Sequence, residues 1–195
     1  MNKPFAEIIE SSLHTWLAQS WQWNQPPHYG SLVAVQQEKR TLIGLVYEVG
    51  TGSMDPTRYP FAYQKTQEEL LREQPQIFEF LKTTFSCLVL GYHHQDRMRY
   101  ITPSQPATIH SFVQPISDDL NRQFFAHDQY IHRIFGLGNK INNIDELLLA
   151  LIGQQMENKL MNQEKIMQFM DTYSLLTGND YRRIKLFLQR VERTI

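Results

Sequence analysis

A single cysteine, Cys87, stands in this chain of 195 residues. With one thiol, no disulfide forms within the chain, and its place in an apolar run reads as a small core residue, not a nucleophile. Long hydrophobic stretches are missing as well. No window nears the roughly 18 consecutive apolar residues of a membrane helix. The opening Met1-Asn2-Lys3-Pro4-Phe5-Ala6-Glu7 has no continuous apolar core, because Glu7 and Glu10 interrupt it. A secretory leader is therefore not expected. These absences point to a cytoplasmic protein that does not associate with membranes.

An excess of either charge is also lacking. Nineteen Lys and Arg face twenty Asp and Glu, for a net charge of −1. Residues 1–27 carry +1 and −2, residues 28–135 +10 and −11, and residues 136–195 +8 and −7. A chain-wide footprint for nucleic acid is excluded, so any such role needs a local basic patch.

Catalytic signatures fail in turn. Gly136-Leu137-Gly138-Asn139-Lys140 offers glycines and a lysine but not the spacing of a phosphate-binding loop. His93, His94 and Asp96 lie in an expected turn. Asp128 and His132 would share a helical face that excludes His127. Neither group has the spacing of a zinc site, so both read as solvated histidines. No nucleophile elbow occurs, and His110 reads as a structural histidine in a strand. Asp118 and Asp119 suit the dipole at a helix start. No catalytic residue, cofactor or metal is expected, and the chain is expected not to be an enzyme.

What is present is a set of strand-like runs between helical periods. Gly30–Val35, Thr41–Val49, Phe85–Tyr92 and Thr108–Val113 are rich in β-branched and aromatic residues, with a short strand at Arg99–Thr102. Gln37–Arg40 joins the first two as a hairpin, and Gly44 marks a close backbone approach. The run Phe85–Tyr92 is apolar on both faces, which makes it central. Residues 50–76 form a long excursion with a short helix at Gln67–Arg72, and Pro75 opens another.

Helices are expected on both sides. Phe5, Ile8, Ile9, Leu13, Trp16 and Leu17 recur at three and four residues, predicting a helix over 4–21. Ser117 caps a short helix at Asp118–Phe125. Gly136–Asn143 is the best linker. Asn143, Asn162 and Asp180 then cap three helices, with Met156, Met161, Met167 and Met170 as core filler or, less simply, a partner groove. The fold expected is α+β: a small antiparallel β-barrel flanked by an N-terminal helix and a C-terminal three-helix bundle. Its divisions are 1–27, 28–135 and 136–195.

Two candidate surfaces follow. Tyr59, Phe61 and Tyr63 in the excursion form an apolar contact surface for a protein partner. Arg182, Arg183, Lys185 and Arg190 of the final helix form a candidate phosphate-binding face, with Arg193 nearby and Tyr181 able to stack on a base. Barrel edges and the helical bundle are both surfaces for self-association.

The order of the runs resembles the HAS-barrel family, the small β-barrel of HerA-type DNA translocases and ATP synthase ring subunits. Gly30-Ser31-Leu32-Val33 and Thr41-Leu42-Ile43-Gly44-Leu45-Val46 carry the resemblance. Leu90-Gly91-Tyr92 and the sequence Pro103, Pro106, His110, Phe112-Val113 resemble its later strands. The likeness covers about residues 28–115. It implies an assembly and docking element, which in the family sits on a hexameric ATPase ring and contacts partners that include a nuclease. A three-helix segment stands where the ATPase domain follows in the family, so ring assembly and catalytic residues do not carry over. The expected function is a non-enzymatic protein-interaction or assembly module; the alternative is a nucleic-acid-associated factor using the basic final helix.

Overall fold

Strand pairing, not helical spacing, governs residues 6–20. The computed structural model describes residues 3–55, 57 and 60–194. It places strands β1 (Ala6–Ser11) and β2 (Thr15–Ser20) there, paired antiparallel. The helix expected over 4–21 is corrected to a hairpin. Ser12 makes the turn: its hydroxyl accepts from the Thr15 amide at 3.0 Å, and its own amide donates to the Thr15 carbonyl at 2.8 Å. Serine hydroxyls that satisfy nearby amides compete with helix in this way.

Five further strands follow: β3 (Leu32–Gln36), β4 (Thr41–Ser53), β5 (Leu81–His94), β6 (Arg97–Arg99) and β7 (Phe112–Pro115). Their order is β2-β1-β7-β3-β4-β5-β6, and β2 also pairs with β5. That pairing closes a six-stranded antiparallel barrel, with β6 appended to the end of β5. The chain is thus α+β with a small closed barrel, as expected. β5 is the central strand, bonded to β2, β4 and β6. The two short strands fall off their expected places, at β6 and β7. His110 lies outside them, in a left-handed conformation at φ +68°.

The barrel interior is filled by Ile8, Trp16, Val35, Leu42, Phe85 and Val113, each almost wholly buried, with Cys87 among them. Burying each large side chain contributes about 1.5–3 kcal/mol. Gly44 makes room for the largest: a β-carbon there would lie 2.3 Å from Cζ2 of Trp16.

The outer face of β3, β4 and β5 is apolar too. Leu32, Ala34, Ile43, Leu45, Leu88 and Leu90 pack into a second core shared with the helices. These are α3 (Asp118–Phe124), α4 (Gln129–Gly136), α5 (Ile144–Glu157), α6 (Gln163–Leu176) and α7 (Tyr181–Thr194). Ser117, Asn143 and Asn162 cap α3, α5 and α6 as expected. Asp180 accepts from the amides of Arg182 and Arg183 and caps α7. α4 is an unanticipated helix, with Tyr130, Ile131 and Ile134 buried. The helices come very close to the barrel at Gly30 (φ +80°), where a β-carbon would lie 2.7 Å from that of Ala150 in α5.

One part of the chain leaves this double core. Beyond Thr84, β5 no longer pairs with β2, while Thr51–Ser53 and Leu81–Thr83 continue as a two-stranded ribbon. It carries the short helices α1 (Gln67–Glu73) and α2 (Gln76–Glu79), which account for the expected excursion. A stack of Phe78 on Trp23, with centroids 5.4 Å apart, ties the ribbon's cargo to the body.

Candidate functional site

The ribbon and its two helices form an arm built mostly of exposed residues. Thr66 caps α1 through a capping box with Glu69, which satisfies the amides of both residues. Every residue of α1 and α2 is nonetheless exposed or half-buried. Phe61 is 68% exposed, Leu71 47%, Met54 46% and Phe80 42%. Phe61 leans on Tyr63 with ring centroids 4.3 Å apart, so this pair presents one apolar plate. Tyr59, the third member of the expected surface, lies outside the described residues.

α7 carries the expected basic face, but α5 has already claimed half of it. The Arg183 guanidinium donates to both oxygens of Asp145, Nε to Oδ2 at 3.0 Å and Nη2 to Oδ1 at 2.7 Å. The Tyr173 hydroxyl donates to Asp145 Oδ1 at 3.0 Å, and the guanidinium sits 5.8 Å above the Tyr173 ring. The hydrogen bonds it donates to Asp145 hold Arg183 more firmly protonated than usual. Burial and the Asp145 charge push the Tyr173 hydroxyl well up. Arg190 pairs with Glu146 at 2.7 Å. Asp145 and Glu146 both stand in the first turn of α5, where acidic residues favour the helix dipole.

Of the four expected phosphate ligands, then, Arg183 and Arg190 are neutralised by carboxylates. Arg182 and Lys185 are exposed, and neither has a carboxylate partner among the described residues. Arg182, Arg183, Leu186, Gln189, Arg190 and Arg193 line an open groove of about 480 Å³ along α7. Leu186 in its floor was not singled out in the sequence, because a leucine on an amphipathic helix ordinarily faces the core.

The remaining candidates disperse. Cys87 is fully buried; burial pushes its thiol well up, with the Trp16 indole beside it acting in the opposite direction. His94 Nδ1 meets the Lys39 carbonyl, and His110 pairs with Glu7. His127 and His132 are exposed. The Asp128 carboxylate instead accepts from the Thr172 hydroxyl. Among the described residues no three His, Cys, Asp or Glu side chains converge as a metal site would need. The methionines divide: Met161 is buried, and Met167 is 58% exposed beside a groove of about 510 Å³ between α6 and α7.

A further cleft, of about 500 Å³, was not legible in the sequence. Tyr29, Tyr47, Glu48, Lys140, Asn143 and Glu146 line it at the seam between barrel and helices. Burial raises the hydroxyl pKa of both tyrosines. No spacing rule connects residues brought together from three separate segments.

Among the described residues no helix is long and apolar enough to cross a membrane. Fold and surface together define a small closed β-barrel with a helical layer and a projecting arm. No protein-family model matches the chain, and no curated protein sequence matches it either.

Proposed function

We propose that this chain is a non-enzymatic docking or assembly module that engages another protein through its arm, in the manner the HAS-barrel resemblance implies. One observation carries the reading. The arm carries a fully formed capping box at α1, yet Phe61 and Leu71 remain largely exposed on it. Exposed apolar groups gathered on one segment of an otherwise well-packed protein mark contact surfaces. A closed six-stranded antiparallel barrel is compatible with the family. The barrel's inside is packed with side chains, which suits a scaffold better than a ligand-holding shell.

Replacing Tyr59, Phe61 and Tyr63 together by Ser tests the reading. A tagged pull-down from native cell extract, with and without nuclease, is expected to recover a stoichiometric protein with the wild type and lose it with the variant. Unchanged capture by a folded variant would remove the arm from consideration.

The alternative, a nucleic-acid-associated factor, rests on Arg182, Lys185 and Arg193, the α7 cations that lack a carboxylate partner among the described residues. It predicts binding that weakens steeply with salt. Flat binding curves to single- and double-stranded DNA and RNA at low salt exclude it. The tying of Arg183 and Arg190 to α5 favours the protein partner.

A further inference from the structure

α1 has seven residues. An isolated helix so short is marginal in water, because nucleation costs more than so few hydrogen bonds return. Proteins stabilise such helices by burying one face, yet α1 buries none of its residues on its own chain. Leu70 is only half-buried and Leu71 is exposed, so the helix lacks the cover that it needs. The same segment is acidic. Between residues 65 and 79, Glu68, Glu69, Glu73 and Glu79 stand against Lys65 and Arg72. Glu69 is drawn into the cap and Glu73 pairs with Lys65, while Glu68 and Glu79 are exposed.

α7 offers the complement. Arg182, Leu186, Gln189 and Arg193 fall on one stripe, at spacings of four, three and four residues. Its two ends lie about 16 Å apart along the helix axis. Leu186, between the two arginines, is 53% exposed. Neither Arg182 nor Arg193 has a carboxylate partner among the described residues. Arg183 and Arg190 are held by Asp145 and Glu146, so the groove's inner wall is set before anything enters it. One chain thus carries an uncovered acidic helix with leucines and an uncovered basic groove with a leucine.

We propose that the α1–α2 segment of one copy seats in the α7 groove of a second copy, with Leu71 of α1 against Leu186 and the carboxylates of Glu68 in α1 and Glu79 in α2 facing Arg182 and Arg193. Opposite charge selects the pairing, and burial of the leucines supplies the affinity. Each chain holds both halves of the contact, so a two-fold arrangement makes it twice and closes. The inference rests on the reading of the arm as a contact surface and commits α1 to one partner.

Sedimentation of the full chain over a wide range of concentration is the test. The wild type is expected to dimerise and to dissociate as salt screens the contact. R182E/R193E and E68K/E79K are each expected to be monomeric, because each sets like charges against like. Their equimolar mixture is expected to dimerise again, since every arm then meets a groove of opposite sign. R182Q/R193Q serves if the reversal unfolds the chain, as judged by circular dichroism. A wild type that stays monomeric, a dimer indifferent to both reversals, or a mixture that fails to associate overturns the proposal. So does a monomer that binds duplex DNA through Arg182 and Arg193. A monomeric wild type that still captures a protein through Phe61 and Tyr63 sinks this inference alone and leaves the arm reading standing.

Discussion

Gly44 and Trp16 share one volume inside the barrel: a β-carbon on Gly44 would fall 2.3 Å from Cζ2 and 2.5 Å from Cη2 of the indole. Gly44→Ala is therefore expected to destabilise by about 1–3 kcal/mol through overpacking. Trp16→Leu alone opens a cavity and costs about 2–4 kcal/mol. Made together, they are expected to cost less than the sum, by about 0.5–3 kcal/mol, because the smaller side chain makes room for the methyl. Urea denaturation of the four proteins measures the coupling. Strict additivity would mean the two residues do not compete for space.

Asp145 is the hinge of the α5–α7 contact. It accepts two bonds from Arg183 and one from Tyr173. Asp145→Ala is expected to destabilise by about 1–3 kcal/mol, since the partners lose an acceptor. Arg183→Ala should then add little in the Asp145→Ala background. A full second loss, read from chemical denaturation, would show that Arg183 acts through some other contact.

Alkaline pH should unfold this protein through its buried tyrosines. The Tyr100 hydroxyl donates to the Phe124 carbonyl at 2.6 Å, and burial pushes its pKa up to about 12. Tyr130 and Tyr173 are pushed up as well, chiefly by burial. A pKa raised on folding means that the unfolded chain loses its proton first. Stability is thus intact below about pH 10, the ordinary tyrosine value, and is lost as pH rises through the folded values. Tyr100→Phe should flatten part of that decline while costing about 1 kcal/mol at neutral pH. An unfolding midpoint independent of pH between 9 and 12, measured by thermal melts, contradicts this.

Cys87 reports on the barrel. It is fully buried and its thiol is held protonated by burial. A thiol reagent is expected to modify it only in step with unfolding by denaturant. Prompt modification in native buffer would reveal a barrel that opens on its own.

Much of this fold was legible where the period was clean. The Asn143, Asn162 and Asp180 caps mark three helices, because a short polar side chain at that position satisfies orphan amides. The doubly apolar run around Leu88 marks the strand that touches both cores. The first hairpin was not legible, for a local reason. A bulge between Ile8 and Glu10 breaks the two-residue alternation and leaves Ile9 facing out at 37% exposure. The apolar residues then fall at three- and four-residue spacing, and a helix is imitated. α4 hid for another reason: it is short, and the Asp128 side chain before it caps no amide but binds Thr172.

The candidate surfaces divide the same way. Cations on α7 could be counted along the chain, but their neutralisation could not, since Asp145 and Glu146 sit about forty residues away. The exposure of Phe61 was inferable from its place in the long excursion between two strands. That α1 would be capped and yet uncovered depends on where β5 parts from β2, which no local pattern encodes.

Closure of the barrel also sets an order of events. β1 pairs Ala6 with Val113 of β7, and β2 pairs Trp16 with Cys87 of β5. On the ribosome the first hairpin emerges long before either neighbour exists. Its β2 edge stays open until β5 is synthesised and its β1 edge until β7 is, so the barrel closes last and slowly, as expected of non-local pairing. During that interval its unpaired strands are the part of the nascent chain most in need of a chaperone.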